Sequence, residues 1–163
     1  MRHAIAVERD ARGYTDDRAR PLTPEGRKRM KAAAAGLRTL VKPQAILTSP
    51  VLRARQTAEI LGEAFGLKQR LLEALGNGDH GATVAACQAG REQSVILVGH
   101  EPWMSELLSV LVAGSAGTAA SVFRKGAAAL ISFDGAPAAG TGTLEWLLQP
   151  GQLRRLARPH AAP

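Results

Sequence analysis

The sequence predicts an α/β domain, a three-layer sandwich in which a mostly parallel central sheet is flanked by helices. Three observations lead there. Segments with helically spaced apolar residues alternate with short continuous apolar runs. That alternation marks βα units, whose helical crossovers leave neighbouring strands parallel. The length, 163 residues, suits one domain spanning 1–163, and its 45% hydrophobic content is enough to bury a core.

Thr23-Pro24-Glu25-Gly26 reads as a helix start, with Thr23 as cap and Pro24 at the first helical position. Met30, Ala33, Ala34, Leu37, Leu40 and Val41 recur at helical spacing. This helix is expected to run to Lys42-Pro43, because a residue before proline avoids the helical region. Ala45-Ile46-Leu47-Thr48 reads as a buried strand. Ser49-Pro50 opens a second helix with Ser49 as cap, lined by Ala54, Thr57, Ala58, Leu61 and Phe65 and stopped by Gly66. Residues 69–75 read as a short strand, 76–81 as a loop and 83–89 as a helix carrying Cys87. Ser94-Val95-Ile96-Leu97-Val98 is the clearest buried strand; Gly99-His100 ends it, and a helix over 102–112 follows. Residues 127–133 and 143–148 read as two late strands joined by a turn over 134–142, and the basic stretch 154–158 is expected to fray.

Charge narrows the partners. Lys plus Arg number 21 against 14 for Asp plus Glu, a net charge of +7 that favours an anionic partner. The excess is mostly arginine, whose planar fork suits phosphate. Aromatics are only 4%, which argues against nucleic acid, where bases stack on aromatic rings. The lone Cys87 excludes an intramolecular disulfide and a cysteine-cluster zinc site. No run of about 18 apolar residues exists to span a membrane. The opening residues do not read as a signal peptide, so a reduced, cytoplasmic setting is expected.

In a parallel α/β sheet, ligands bind beyond the carboxyl ends of the strands. That rule singles out His3, Ser49 with Arg53, and Gly99 with His100. Arg2 adjoins His3, so the two can share an anion. Arg53 lies in the first turn of its helix, where the dipole also favours an anion, whereas Arg55 should face elsewhere. Arg20 and Thr23 either rim the site or anchor a loop. Ser49 reads as a cap rather than a nucleophile, since no Gly-x-Ser-x-Gly elbow surrounds it. His160 lies in the tail and reads as non-functional.

Taken in order, Arg2-His3, Arg20-Pro21-Leu22-Thr23-Pro24-Glu25-Gly26, Ser49-Pro50-Val51-Leu52-Arg53-Ala54-Arg55-Gln56-Thr57-Ala58 and Val98-Gly99-His100-Glu101-Pro102 form a set. It resembles the histidine phosphatase superfamily, with its phosphoglycerate-mutase-like fold, and within it the short SixA-like phosphohistidine phosphatases. The likeness covers nearly the whole chain, including the segment from Gly142 through Leu153. It implies that His3 is the nucleophile that becomes phosphohistidine. It also implies that Arg2, Arg53 and His100 complete a catalytic, phosphate-binding pocket, with Arg20 as a further substrate contact. The chemistry agrees: a neutral imidazole is a competent nucleophile near pH 7. Phosphoryl transfer asks chiefly for positive donors on the equatorial oxygens, so neither a metal nor another cofactor is called for. Glu73, Asp79 and Glu101 are candidates for a general acid; none sits in a matching segment, and the acid stays unassigned.

In the family an apolar strand precedes the Arg-His pair, whereas here only Met1 does. The first strand is therefore expected to be missing or truncated, from a chain shortened at its start, and His3 is expected to be mobile. The leading functional expectation is a metal-independent phosphatase acting on a protein phosphohistidine. An alternative is a small-molecule phosphomonoester phosphatase, of the sugar-phosphate type, in the same superfamily. A non-catalytic phosphate- or nucleic-acid-binding module is the third, but it would leave His3 and His100 without a role.

Overall fold

The computed structural model describes residues 1–9 and 13–157. The elements, in order, are a 3-10 turn (Asp17–Ala19), α1 (Pro24–Leu37), β1 (Ala45–Thr48), α2 (Leu52–Phe65), β2 (Gln69–Leu71), α3 (Ala74–Asn77), α4 (His80–Ala89), β3 (Val95–Val98), α5 (Trp103–Ala113), β4 (Ala128–Ser132), β5 (Thr143–Leu148) and α6 (Pro150–Leu156). Strands β2, β1 and β3 form a parallel sheet in that order, and β4 pairs antiparallel with β5.

The layers follow from strand alternation. Ile46 and Val98 face one side, where they join Met30, Leu37, Leu61 and Leu153 from α1, α2 and α6. Leu47 faces the other, with Leu75, Met104, Leu107 and Leu111 from α3 and α5. All four residues of β1 are buried, as expected for a central strand covered on both faces. This is the predicted three-layer α/β sandwich, with its parallel strands at the centre.

Several local expectations are corrected. Helix α1 ends at Leu37 rather than at Lys42-Pro43. Its last turn is tightened by Thr39 N–H and Leu40 N–H donating to the carbonyls of Gly36 and Leu37. Strand β2 stops at Leu71, and the Gly-rich stretch read as a loop holds α3 and the start of α4, capped by Asp79 Oδ1 on Ala82 N–H at 2.8 Å. Arg154 and Arg155 lie in α6, which fully buries Leu153 against α1, so the described part of that basic stretch is ordered helix. Arg158 and His160 lie outside the described residues.

The start of the chain is held, contrary to the expectation of mobility. Met1 and His3 are each only 6% exposed. Arg2 bridges Gly99 in parallel; Gly99 N–H donates to Met1 O at 3.1 Å, and His3 N–H donates to Gly99 O at 3.0 Å. On the opposite edge Arg2 N–H donates to Ala127 O at 3.0 Å. Residues 1–3 thus occupy a strand position between the two sheets without forming a full strand. Beyond Met1 the edges of β3 and β4 flank an apolar groove of about 760 Å³, lined by residues such as Leu37, Ile96, Leu111, Leu130 and Trp146. Val95, Ile96 and Leu97 are consequently only half-buried, which corrects the reading of β3 as a fully buried strand. Among the described residues no helix is long and apolar enough to cross a membrane.

Candidate active site

The carboxyl ends of β1 and β3 bring the predicted residues together. Thr48 ends β1, so Ser49 and the first turn of α2 follow at once, and Val98 ends β3, so Gly99 and His100 follow there. The 1–3 segment lies along Gly99 and delivers His3 to the same edge. The imidazole rings of His3 and His100 stand 5.0 Å apart at 51°. Both rings and Arg53 are buried.

Hydrogen bonds fix each ring. His3 Nδ1 lies 2.7 Å from Ala4 O. A carbonyl only accepts, so Nδ1 carries the proton and Nε2 keeps its lone pair. That lone pair faces Arg53 Nε at 3.3 Å. His100 Nε2 lies 2.9 Å from Ser49 Oγ, which also accepts from Val51 N–H at 3.3 Å. The Ser49 hydroxyl hydrogen can meet His100 Nε2, an arrangement in which the ring proton sits on Nδ1. That His100 Nδ1 and the Nε of Arg2 are buried without a protein partner. Buried polar atoms are normally paired, and a ligand carrying its own oxygens could pair both.

The motif spacing now has a mechanical explanation. Thr57 Oγ1 donates to Arg53 O at 2.7 Å and accepts from Ala4 N–H at 3.0 Å, locking α2 to the chain just after His3. Gln56 Oε1 accepts from Leu22 N–H at 2.7 Å and ties the Arg-Pro-Leu-Thr segment to the same helix. Thr23 caps α1 as expected, accepting from Gly26 N–H at 2.9 Å. Gly26 itself must lack a side chain, since a Cβ there would sit 2.1 Å from Ile5 O.

Other expectations are modified. Ser49 is not the cap of α2; Val51 holds that position, and Ser49 instead orients His100. Arg55 is exposed, as expected. Arg2 lies beside His3, and its Nη1 donates to Phe123 O at 2.7 Å. Arg20 reaches neither imidazole; it donates to Val7 O and binds Asp17 Oδ1, so in this structure it anchors a loop. Glu73 is exposed, Asp79 caps α4, and Glu101 accepts from Ser105 Oγ at 2.6 Å. His80 pairs with Glu106 at 3.1 Å.

Two contributors went unnoticed in the sequence. Trp103 packs edge-on to His100 with centroids 6.2 Å apart, and Gly78 is pressed against its indole so closely that a Cβ would fall 2.5 Å from the ring. Asp17 accepts from Arg53 Nη2 at 3.1 Å through Oδ2, and Arg53 Nη1 donates to Asp17 O at 2.8 Å. The one sequence signal for Asp17 was its place three residues before Arg20, which yields an i,i+3 ion pair.

Burial dominates the electrostatics. It pulls the His3 imidazole down from 6.5 to about 3, helped by the nearby His100, Arg53 and Arg2 and opposed by the bond to Ala4 O. Burial, with Arg53 beside it, takes His100 from 6.5 to about 4. Both rings are neutral at neutral pH. The unfolded chain therefore takes up protons first on acidification. The stability that the two rings contribute is complete above about pH 6.5 and is lost as pH falls through about 4 and then about 3. The thermal midpoint should fall steadily between pH 6.5 and 4, and the His3 Cε1 proton resonance should not titrate above about pH 4. A His3 resonance titrating near 6.5 would contradict this picture.

An α/β fold that gathers two neutral imidazoles and two arginines near its strand ends presents the kind of groups that phosphoryl transfer uses. A family model for the histidine phosphatase superfamily (branch 1) matches residues 1–86. The phosphohistidine phosphatase SixA of Escherichia coli K12 is 31% identical over 161 residues, 94% of each chain. An uncharacterised protein of Picosynechococcus sp. is 39% identical over 123 residues, 72% of this chain and 73% of that one. Among solved structures, the protein histidine phosphatase SixA complexed with tungstate superposes with a TM-score of 0.79 at 32% identity, covering 94% of this chain and 96% of that one. A phosphoserine phosphatase of Entamoeba histolytica shares the fold, with a TM-score of 0.65 at 14% identity over 90% and 93% of the two chains. The chain belongs to the histidine phosphatase superfamily, and it is a phosphatase.

Proposed function

We propose that the protein hydrolyses phosphohistidine on a protein substrate by way of a phosphoenzyme at His3. The observation that carries the reading is the His3 Nε2 lone pair beside Arg53, with the His100 ring 5.0 Å away and Arg2 Nε and His100 Nδ1 both buried without a partner. Likeness along 94% of the chain to a phosphohistidine phosphatase supports the substrate class. In the first step His3 Nε2 attacks phosphorus, and the bond from phosphorus to the substrate imidazole breaks. Arg2, Arg53 and His100 hold the transferring oxygens as charge spreads over them. The substrate imidazole, carrying a proton on its other ring nitrogen, departs with the electron pair as a neutral ring. Water then attacks phosphorus, the bond to His3 Nε2 breaks, and inorganic phosphate leaves. An imidazole leaves more easily than an alkoxide, which fits a site whose carboxylates Glu73 and Asp79 are engaged elsewhere or exposed.

A direct comparison of substrates tests this. In the presence of a chelator, kcat/KM on a phosphohistidine peptide should exceed that on a sugar phosphate by at least about tenfold, the leaving group being the difference. Preference for the sugar phosphate would reassign the substrate to small esters. Activity abolished by the chelator would overturn the metal-independent mechanism.

A further inference from the structure

Three guanidiniums converge on one carboxylate. Asp17 Oδ1 accepts from Arg20 Nη2 at 2.7 Å and from Arg9 Nε at 3.0 Å, while Oδ2 accepts from Arg53 Nη2 at 3.1 Å. The main chain joins in, since Arg53 Nη1 donates to Asp17 O. The Arg53 fork is thus gripped at both outer nitrogens by one residue, while its Nε points at the His3 lone pair. The turn that carries Asp17 is built independently of these contacts: Asp16 Oδ1 caps it by accepting from Arg18 N–H at 2.8 Å.

We propose that Asp17, itself held by Arg20 and Arg9, is a positioning residue that acts on the bound phosphoryl group through Arg53. It aims the Arg53 fork at His3, and it offsets one positive charge in the pocket so that inorganic phosphate is not held too tightly. The proposal rests on the reading of this pocket as a phosphoryl site. Two effects of opposite sign follow. A guanidinium released from its carboxylate keeps its charge, so the pocket becomes more positive and attracts anions more strongly. The same guanidinium loses its fixed direction, and misaimed donors stabilise the transition state less well. Burial works to raise the Asp17 carboxyl, but the hydrogen bonds from Arg20 and Arg9 and the charge of Arg53 hold it well below the usual carboxylate range. It is an anion throughout the working pH range and no proton donor, which separates its role from that of a general acid.

The test is Asp17→Asn, titrated with inorganic phosphate by calorimetry and assayed on the phosphohistidine peptide. Phosphate should bind about 3–10-fold more tightly, while kcat falls about tenfold or more. Asp17→Glu, which keeps the charge, should return the phosphate Kd to within about twofold of wild type. Asp16→Asn, which can still cap the turn and touches none of these arginines, should leave both quantities within about twofold. A residue that merely stabilised the loop would lower the active fraction and leave the Kd of the folded protein unchanged. An unchanged or weaker Kd in Asp17→Asn overturns the proposal. Asp17→Ser provides the same reading should the amide variant fold poorly. Wild-type protein that binds phosphate but turns over no phosphohistidine peptide would sink the substrate assignment while leaving Asp17 to be judged by the titration. Wild-type protein that binds no phosphate overturns both.

Discussion

His3→Ala is expected to lose turnover by more than about 10⁴-fold while remaining folded. The size of the effect follows from the covalent route. Without Nε2 there is no atom to accept the phosphoryl group, and water would have to attack directly in a pocket arranged for an imidazole. His100 does not substitute, because its Nε2 is taken up by Ser49 and its ring is fixed 5.0 Å from that of His3. The fold should tolerate the change: the backbone bonds at position 3 to Gly99 and Gly126 do not use the side chain. Rapid quench of wild type should trap acid-labile phosphate on the protein, and the same experiment on His3→Ala should trap none. A variant retaining a tenth of the wild-type kcat would refute the phosphoenzyme route.

Arg53→Lys is expected to lower kcat/KM by about 10²–10³-fold, although it conserves the charge. All three Arg53 nitrogens are engaged in different directions: Nε toward His3 Nε2, Nη1 on Asp17 O and Nη2 on Asp17 Oδ2. An ammonium is a single point on a flexible stem and reproduces one of these contacts at a time. The loss should lie mainly in kcat, because a retained positive charge still draws phosphate into the pocket while the aimed donor is gone. Steady-state kinetics on the phosphohistidine peptide decide this. A kcat/KM within threefold of wild type, about 0.65 kcal/mol, would mean that charge alone suffices at this position.

What the sequence made legible follows the range of the interactions. Some signals confined to one turn were accurate, as with Thr23-Pro24 at the start of α1 and Gly66 at the end of α2. The rule that ligands gather at strand ends placed His3, Arg53 and His100 together; the structure joins Arg53 to His3 by a hydrogen bond and sets the His100 ring 5.0 Å from that of His3. Readings that depended on partners distant in sequence were harder. Ser49 has the sequence of a cap, and its bond to His100, on another strand, is invisible in its own segment. Asp17 looks like one acidic residue in a polar loop until α2 presents Arg53 to it. Leu40 and Val41 continue the apolar spacing after the backbone has already turned, so periodicity alone overstates the length of α1. The firm hold on residues 1–3 also escaped notice, because it comes from Gly99 and from the 126–127 segment, far along the chain.

The groove beside Met1 gives the Arg-His pair a second duty. Among the described residues the parallel sheet and the β4–β5 hairpin exchange no backbone hydrogen bonds directly; the main chain of residues 1–3 joins one to the other through Gly99, Gly126 and Ala127. The residues proposed to do the chemistry are therefore also the seam of the molecule. Local opening at a seam needs far less free energy than global unfolding. Opening along this line would part the hydrogen bonds that seat His3, so activity is expected to be lost once the seam opens, even while the packing of α6 on α1 and of β4 on α5 holds the two sheets in one molecule.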